Sequence, residues 1–489
     1  MDAVYTKSIG KNGYSLIKDE LEAGGIININ QLKKDLSVLP KVCQNYGGIG
    51  DKVEPICLYQ ENKTKIYIPR FFGINKYGNV DKFKLQTPIH ANLNFSSELR
   101  PIQKHIVECY TKNINSDFGG GGIICAGCGV GKTVISLFIA AHLKVKTLVV
   151  VHKEFLMNQW IDRINDFLPG AKVGTIQGTK TDVIDKDIVI GMLQSVSMHK
   201  YENNIFNDFG LVIYDECHHL GARVFSKALR KTNFKYTLGL SATPTRKDGL
   251  TKVFLWYLGD IVYRQEKSED SNIDVFIYDY INSDPIYCKE EVNFKNQIMN
   301  PKIINNIAKC KKRNDFIISL IPNLLAQNRT ILILTERIAQ VEYIYDKVGE
   351  LELSTIGKYI GKLRQEVLDE SLKCRIIIGT YNMIEEGFDC KSLDTLIMAT
   401  PKVDIEQSIG RILRKQKEER TIKPLVIDIY DKFANNINKG KKRITFYKKQ
   451  KYTIKTYNID DNKTPRVIIE LKNDNTKTSK ANQSITYRF

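Results

Sequence analysis

Residues 121–143 read GGIICAGCGVGKTVISLFIAAHL and combine three successive patterns. The first part, GGIICA, is an apolar run of strand length, and the last, KTVISLFIAAHL, has the apolar spacing of a helix. Between them lies the glycine-rich loop AGCGVGKT. A strand that runs through such a loop into a helix aims backbone N–H groups and the positive end of the helix at one point. The stretch therefore predicts a phosphate-binding loop in a parallel α/β fold.

The loop gives four of its residues a specific role. Lys132 would reach the β- and γ-phosphates of a nucleotide, and the Thr133 hydroxyl would ligate Mg²⁺. Gly129 and Gly131 would let the backbone approach the phosphates closely. Ala126 stands where the strict G-x-x-x-x-G-K-T pattern has glycine. This position falls at the end of the strand, so a methyl group there need not block the phosphates.

A second motif, which contains two acidic residues, supports hydrolysis of the bound nucleotide. Residues 211–219 read LVIYDECHH, an apolar strand that ends in two carboxylates. Asp215 would hold Mg²⁺ through its water shell, and Glu216 would orient or deprotonate the attacking water. The alternative is an acidic strand end followed by a surface turn. The phosphate loop upstream favours the hydrolytic interpretation.

Apolar strands alternate with helical patterns on both sides of these motifs. GGIICA, TLVVVH, DIVIG, LVIYD and YTLGLSAT form a first series, and TILILTE, CRIIIGT, DTLIMAT and PLVIDIY a second. Near-continuous apolar strands separated by helices indicate parallel sheets covered on both faces. We therefore predict a small N-terminal α/β domain at 1–88, two tandem α/β domains at 89–270 and 271–435, and a basic C-terminal extension at 436–489.

Composition restricts the class of protein. Hydrophobic residues make up 42% and charged residues 26% of the 489 residues, and the net charge is +18. This composition is that of a soluble globular protein, and a polyanionic partner is expected because phosphates release counterions when neutralised. The start of the chain resembles no secretory signal, no apolar run could span a membrane, and the ten cysteines are scattered. We expect an intracellular protein with reduced thiols and no zinc site at Cys125 and Cys128.

Residues 407–414, QSIGRILR, carry three long polar side chains at helical spacing. Gln407, Arg411 and Arg414 would share roughly one face of a helix. Arginines are rarely buried without an anion, so these two lie at the surface or meet phosphates. Taken with a phosphate loop in a separate domain, they resemble arginine fingers.

These motifs appear in order and together resemble superfamily 2 helicases of the DExH class. A126-G-C-G-V-G-K-T133, D215-E-C-H218, S241-A-T243 and Q407-S-I-G-R-I-L-R414 are similar to motifs I, II, III and VI of that superfamily. LRPIQ at 99–103 resembles the adenine motif, and further stretches resemble motifs Ia, Ib, IV and V: LVVVHKEFLMNQW, IGMLQS, ILILTER and IIIGTYNMIEEGFDC. The likeness covers 95–435. Within the superfamily, the sequence is most similar to helicases of large cytoplasmic DNA viruses that act in transcript release. It is also similar to the excision-repair and transcription helicases and to the T-even phage recombination helicase.

The resemblance implies two RecA-like domains, ATP and Mg²⁺ as cofactors, and a set of site residues. Gln103 would read adenine, Gly387 and Asp389 would contact the nucleotide or its ribose side, and Gln407, Arg411 and Arg414 would close on the γ-phosphate. Ser241 and Thr243 would couple the two sites. Contacts to the sugar-phosphate backbone of a nucleic acid are implied for Lys153, Gln194, Ser195, Thr335, Arg337 and Thr380.

The sequence leaves four functions open, the last of them a restriction-type motor subunit, which the lack of a nuclease carboxylate cluster with a lysine beside it disfavours. The first is an ATP-dependent DNA helicase or translocase acting 3′ to 5′ in transcription, transcript release, repair or recombination, with the polarity implied by the resemblance. The second is an RNA-directed DExH ATPase that remodels RNA or ribonucleoprotein, and the third is a non-catalytic nucleic-acid scaffold. The expected partners are nucleic acid, DNA before RNA, and transcription or replication proteins. We expect a monomer without membrane attachment, located in the host cytoplasm or the virion if the source is viral.

Overall fold

The computed structural model describes residues 6–23, 28–40, 54–115, 117–127, 129–202, 204–221, 226–242, 246, 248–265, 272–361, 363–384, 388, 390–415, 417–459 and 466–471. The chain divides into two compact units, Met1–Glu266 and Lys267–Phe489. The finer division at 88, 270 and 435 stays a prediction.

The first unit contains sixteen of the named strands and nine helices. The strands are β1 Lys7–Gly10, β2 Gly13–Ile17, β3 Ser37–Val38, β4 Ile56–Cys57, β5 Gln60–Glu61, β6 Lys65–Ile68, β7 Lys82–Phe83, β8 Ile114–Asn115, β9 Gly119–Cys125, β10 Thr147–Val151, β11 Val173–Gln177, β12 Lys180–Thr181, β13 Ile188–Met192, β14 Leu211–Tyr214, β15 Tyr236–Ser241 and β16 Ile261–Arg264. The helices are α1 Lys18–Ala23, α2 Ile29–Asp35, α3 Arg70–Tyr77, α4 Pro101–Thr111, α5 Lys132–Leu143, α6 Glu154–Phe167, α7 Leu193–Met198, α8 Ser226–Lys231 and α9 Thr251–Leu258.

The main sheet of the first unit has the strand order β12-β11-β13-β10-β14-β15-β9-β16, with β8 paired to β9. All neighbours are parallel except at β11–β12 and β8–β9. The residues of β9, β10, β14 and β15 are buried throughout because helices cover both faces. The carboxyl ends of these strands meet at one edge, where ligands of parallel α/β sheets bind.

A separate sheet near the N-terminus has the order β5-β6-β2-β1-β7. It is joined to the rest of its unit through Arg70, which is only 2% exposed. The guanidinium donates to the carbonyl oxygens of Phe118 at 2.5 Å, Phe234 at 3.2 Å and Lys235 at 2.9 Å. Beside it, the ring of Phe72 packs edge-on against Trp256, with centroids 4.8 Å apart. The N-terminal sheet is therefore fixed to the strand ends that precede β9 and β15.

The second unit contains eight named strands and eight helices. The strands are β17 Asp274–Tyr280, β18 Ile331–Thr335, β19 Ile356–Tyr359, β20 Ile376–Thr380, β21 Thr395–Met398, β22 Leu425–Asp431, β23 Thr453–Ile459 and β24 Arg466–Leu471. The helices are α10 Asn300–Lys309, α11 Lys311–Ser319, α12 Ile321–Ala326, α13 Ile338–Gly349, α14 Gln365–Ser371, α15 Tyr381–Ile384, α16 Glu406–Gly410 and α17 Asn436–Lys449.

The sheet of the second unit has the order β19-β20-β18-β21-β22-β17-β23-β24 and is parallel except at β23–β24. Two buried ion pairs cross its core. Arg313 pairs with Asp431 at 2.7 Å, and Arg443 of α17 pairs with Asp428 at 2.8 Å. Tyr447 also donates to Asp428, at 2.9 Å. α17 and β23, which follow residue 435, therefore contribute to the core of the second unit.

The predicted fold class is confirmed: two parallel α/β sheets occur in tandem, and every apolar run named above forms a strand. In the part of the chain that the structure describes, none of the helices is long and apolar enough to span a lipid bilayer.

Candidate functional site

The phosphate loop lies between β9 and α5, as the sequence predicts. Gly129 and Gly131 have φ angles of 89° and 88°, a left-handed conformation that glycine adopts without steric cost. Gly131 is the N-cap of α5, and Lys132 and Thr133 are the first two residues of the helix. The first-turn N–H groups of α5 are therefore donors for a phosphate. The Lys132 ammonium donates to the Ala126 carbonyl oxygen at 2.9 Å, so it lies within the loop it is predicted to serve.

Two side chains from the start of α4 hold this loop. Gln103 is 3% exposed, and its amide nitrogen donates to the Val130 carbonyl oxygen at 2.9 Å. Its amide oxygen accepts from the N–H of Arg100 at 2.9 Å. The Arg100 guanidinium donates to the same Val130 oxygen at 2.5 Å and to that of Gly129 at 3.2 Å. Gln103 therefore fixes the shape of the loop, while its predicted contact with adenine stays a prediction.

Asp215 follows β14 at the carboxyl edge of the sheet. Its Oδ2 accepts from the indole N–H of Trp160 at 2.9 Å, and its Oδ1 accepts from the N–H of Glu216 at 3.0 Å. Burial raises the pKa of Asp215 above its ordinary value, and the Glu216 carboxylate raises it further. Trp160 and the Lys132 ammonium lower that pKa, so Lys132 acts electrostatically on Asp215. The structure thus brings the phosphate-loop lysine and the acidic pair into one site.

Glu216 is connected to the strand that ends at Ser241. Glu216 itself has a φ of 45°, an uncommon conformation for a non-glycine residue and one that occurs at functional sites. One of its oxygens lies 3.3 Å from Nδ1 of His218, and that nitrogen is 3.1 Å from Oγ of Ser241. The carbonyl oxygen of Ser241 also accepts from the N–H of Ala126 at 3.1 Å. His218 therefore connects the predicted general base with the strand end predicted to couple the two sites.

The donor chemistry of this site fits Mg²⁺ and a nucleoside triphosphate. Asp215 and Glu216 place two carboxylates side by side, and a divalent cation would relieve the repulsion that raises the pKa of Asp215. Carboxylate and hydroxyl oxygens are the ligands that Mg²⁺ prefers, and Thr133 adds a hydroxyl in the first turn of α5. A Cβ on Gly131 would stand 2.5 Å from Nε2 of Gln103, so a side chain there would displace the amide that holds the Val130 carbonyl oxygen.

Three residues of the first unit were predicted to contact nucleic acid. Lys153 is the N-cap of α6 and is half-buried, with its ammonium 5.8 Å from the centre of the Phe155 ring. Gln194 is exposed on α7. Ser195 is 6% exposed, and its hydroxyl accepts from the N–H of Gly178 at 2.8 Å. Lys153 and Gln194 are therefore accessible to a ligand, whereas the Ser195 hydroxyl supports the turn after β11.

Three more were predicted in the second unit. Thr335 is fully buried at the end of β18, where its hydroxyl contacts Gln340 and accepts from the N–H of Arg337 at 3.2 Å. Arg337 is partly exposed and donates to Asn305 at 2.5 Å and to the Pro301 carbonyl oxygen at 3.1 Å, both in α10. Thr380 is half-buried at the end of β20. Arg337 and Thr380 can therefore meet a ligand, and Thr335 holds the backbone of Arg337.

The QSIGRILR stretch begins in α16 and continues into a 3₁₀-helix at Arg411–Leu413. Arg411 and Arg414 are three residues apart, so they lie on the same side of that tighter helix. Both donate to the Phe388 carbonyl oxygen, at 2.7 and 3.0 Å. Arg411 is only 2% exposed. The sequence predicts that it lies at the surface or meets a phosphate. Its buried position differs because a backbone carbonyl oxygen serves as the acceptor for its guanidinium. Gln407 is half-buried on α16.

Thr243, Gly387 and Asp389, predicted for coupling and nucleotide contact, lie outside the described residues. Cys128 of the loop does too.

Three supporting residues were not recognised from the sequence. Trp160 orients Asp215, and Arg246 donates from its guanidinium to the His218 carbonyl oxygen at 2.5 Å. Gln265 accepts from the N–H of Gly127 at 2.7 Å. Trp160 is the last residue of the quoted stretch LVVVHKEFLMNQW, and Arg246 stands three residues after the quoted S241-A-T243, so both side chains lie in or beside recognised motifs. The contact of Gln265 requires β16 to pair beside β9, which no local pattern indicates.

The region that contains this site is similar to known proteins. Residues 96–246 match the family model described as "Type III restriction enzyme, res subunit", and that range holds the phosphate loop and the acidic pair. The chain is 38% identical over 455 residues to a "Putative ATP-dependent RNA helicase" of Acanthamoeba polyphaga mimivirus, covering 91% of this chain and 85% of the relative. It is 27% identical over 480 residues to a "Putative helicase" of Invertebrate iridescent virus 6, covering 88% and 99%.

Among solved structures, S. cerevisiae Dbp5 bound to RNA and ADP BeF3 is similar with a TM-score of 0.50 and 14% identity. The match covers 74% of this chain and 90% of that chain, and it supports the RecA-like fold.

Proposed function

The chain belongs to the superfamily 2 helicases of large DNA viruses, and from this we propose that it is a motor that moves along a nucleic-acid strand, with DNA as its preferred track. The chain is an ATP-hydrolysing helicase enzyme. The motor would move from 3′ to 5′ along its strand. It would act in transcription, transcript release, repair or recombination, in the host cytoplasm or the virion.

One observation carries the proposal: the continuous connection from Asp215 through Glu216 and His218 to Ser241, next to the phosphate loop. Glu216 and His218 approach to 3.3 Å, and His218 and Ser241 to 3.1 Å. When a general base is connected to a strand end, a change in its protonation or contacts can alter the position of that strand end. A simple phosphatase site does not need such a connection. The arrangement therefore supports hydrolysis that is coupled to movement.

The residues of the loop act in binding and orientation. The N–H groups at the start of α5 and the Lys132 ammonium would hold the β- and γ-phosphates, and Lys132 would leave the Ala126 carbonyl to do so. Asp215 and Thr133 would hold Mg²⁺, which supplies neutralisation of the phosphate oxygens when bound. Glu216 would accept a proton from the attacking water. Trp160 keeps the Asp215 carboxylate fixed while this happens.

Arg411 and Arg414 would neutralise charge that develops on the γ-phosphate during hydrolysis. Their shared acceptor, the Phe388 carbonyl oxygen, keeps the two guanidiniums together. Arginine fingers contribute about 10³- to 10⁵-fold in rate where they act. Attraction of these arginines to the triphosphate, and its loss after phosphate release, would alternately close and open the motor.

Contacts to the sugar-phosphate backbone would hold the nucleic-acid strand. Arg337 and Thr380 stand at carboxyl ends of β18 and β20, and Lys153 and Gln194 follow β10 and β13 in the first unit. Contacts to sugar and phosphate carry no sequence information, which lets a motor advance over any sequence. DNA is favoured by the likeness of the motifs to transcript-release and repair helicases. RNA is the second candidate, because the mimivirus relative is named an RNA helicase.

An ATPase assay of the full chain tests the proposal. Phosphate release is measured alone and with equal nucleotide concentrations of single-stranded DNA, duplex DNA and single-stranded RNA. We expect single-stranded DNA to stimulate most, and duplexes with a 3′ overhang to be unwound in preference to those with a 5′ overhang. Stimulation by RNA alone would replace DNA with RNA as the track. No stimulation by any nucleic acid would reject the motor.

A further inference from the structure

The outer side of α17 carries a positive charge that no acidic residue interrupts. From Lys432 to Ile459 the chain contains nine Lys or Arg residues and no Asp or Glu. Four of these lysines are exposed on α17 and are called the lysine face here: Lys441, Lys442, Lys448 and Lys449. A surface shaped only for solubility mixes both signs of charge.

Helix geometry puts the four lysines on one side. At about 100° per residue they point away from the buried Gly440, Arg443 and Tyr447. Lys441 and Lys448 are seven residues apart, as are Lys442 and Lys449, so each pair is separated by about 10.5 Å along the axis. The lysine face is therefore a compact array of four ammonium groups that points outward from the second unit.

This charge is not neutralised inside the described part of the chain. Neighbouring basic groups do have acidic partners: Lys432 pairs with Asp279 at 2.5 Å and Arg443 with Asp428 at 2.8 Å. No carboxylate of the described residues forms an ion pair with the lysine face. The negative end of the helix dipole favours Lys448 and Lys449 in the last turn. The helix dipole does not stabilise the charges of Lys441 and Lys442, which lie in the middle of the helix.

The start of α17 lies beside a residue predicted to grip nucleic acid. Burial lowers the pKa of Lys439, Glu336 raises it and Arg337 lowers it, so these three side chains are electrostatic neighbours. Arg337 is also hydrogen-bonded to Asn305 and Pro301. The start of α17 therefore lies near the end of β18, where Arg337 stands.

We propose that the lysine face binds the sugar-phosphate backbone of the nucleic acid, as a grip that lies outside the helicase motifs. The inference rests on the proposed function, because it assumes the same nucleic-acid partner. Binding by ammonium groups is independent of sequence and releases condensed counterions. The lysine face would raise affinity and keep the motor on its track, and it would leave hydrolysis without nucleic acid unchanged.

The test is a variant with Lys441→Gln, Lys442→Gln, Lys448→Gln and Lys449→Gln. Its Kd for fluorescent single-stranded and duplex DNA is measured by anisotropy between low and moderate salt. Each lost phosphate contact lowers the slope of log K against log salt by about 0.9 for duplex DNA and about 0.7 for single strands. Four lost contacts give a slope reduction of roughly 3.6 or 2.8, and we expect at least two-thirds of it for the form of DNA that is bound.

Matched variants separate this effect from net charge and misfolding. A control with Lys311→Gln, Lys312→Gln, Lys347→Gln and Lys373→Gln removes the same charge from exposed positions, of which Lys347 and Lys373 pair with Glu350 and Glu370. Its slope should stay near that of the wild type. The corresponding four Lys→Arg changes on the lysine face should restore the slope, which excludes a folding defect.

The outcomes distinguish this inference from the proposed function. A wild-type chain that binds no nucleic acid removes the proposed function itself. A wild type that binds with a steep salt slope, together with a lysine-face variant of equal slope, overturns only the role of α17. Equal losses in the lysine-face variant and the control variant would also overturn it, since net charge would then be the cause.

Discussion

The indole N–H of Trp160 donates a hydrogen bond of 2.9 Å to Oδ2 of Asp215, which ties α6 to the end of β14. The other carboxylate oxygen is held by the N–H of Glu216 at 3.0 Å. Both oxygens of Asp215 are thus fixed by donors that do not titrate near neutral pH. A carboxylate that is oriented in this way loses little entropy when it meets the hydrated cation.

Replacing Trp160 with Phe should lower the affinity for Mg²⁺ more than the affinity for ATP. The ring is kept and the N–H donor is lost, and a hydrogen bond to a charged group contributes about 1.5–3 kcal/mol. We expect the Mg²⁺ concentration for half-maximal ATPase activity to rise about 10-fold or more, which a Mg²⁺ titration measures. Trp256→Phe is the matched control, because Trp256 packs against Phe72 away from the site. Equal Mg²⁺ curves for both variants would contradict the role of Trp160.

Glu216→Gln should separate binding from hydrolysis. The amide keeps the size of the side chain but cannot accept a proton from water, so turnover should fall by about 10²-fold or more. ATP and nucleic acid should still bind, as measured with a fluorescent nucleotide and by anisotropy. Glu366→Gln, at an exposed position of α14, is the control and should be unchanged. Near-normal turnover in Glu216→Gln would remove the residue from its assigned role.

Gly131→Ala should weaken nucleotide binding, because the added Cβ would displace the Gln103 amide that holds the loop. The added Cβ would lie 2.5 Å from Nε2 of Gln103, at a φ of +88° that disfavours any side chain. Gly170→Ala imposes the same backbone strain, at a φ of +87°, with nothing within 4 Å of the new Cβ. It should cost only about 1–2 kcal/mol of stability and keep ATP affinity. Calorimetric titration with a non-hydrolysable ATP analogue checks both, and tight binding by Gly131→Ala would refute the close packing.

Arg443→Met should destabilise the second unit strongly. It would leave the buried carboxylate of Asp428 without its arginine, and such a loss costs about 3–5 kcal/mol. Adding Asp428→Asn should recover much of that free energy, because the neutral amide can still accept from Tyr447. Urea unfolding of the wild type and the three variants measures both effects. Additive losses in the double variant would show that the two residues act independently.

The thiol of Cys125, at the end of β9, should resist alkylation until strongly alkaline pH. Burial raises its pKa to about 11, above its ordinary value. A group with a raised pKa keeps its proton longer, so at pH 8 roughly one thiol in a thousand is the reactive thiolate. Mass spectrometry after brief treatment with iodoacetamide should find the exposed Cys57 and Cys288 modified first. Early labelling of Cys125 at pH 8 would mean that the strand end is more accessible than described.

The sequence predicts the strands and the position of the glycine-rich loop between β9 and α5 well, because both depend on local patterns. Apolar runs in β9, β10 and β14 and the spacing of Lys132 and Asp215 are visible without three-dimensional knowledge. The burial of Thr335 and Arg411 was not predictable. The Thr335 hydroxyl meets Gln340, whose amide is held in turn by Asn314, and Arg411 meets the carbonyl oxygen of Phe388. The same holds for the anchoring of Arg70, whose three acceptors belong to later segments.

The two sides of α17 are under different evolutionary constraints. Arg443 faces inward and cannot be exchanged without loss of the core, whereas the four lysines opposite it touch nothing that the fold requires. Related viruses could therefore exchange residues on the outward side one at a time, provided that binding keeps its positive charge. Divergence there should accordingly favour exchanges between lysine and arginine, while the inward arginine and its aspartate change only as a pair.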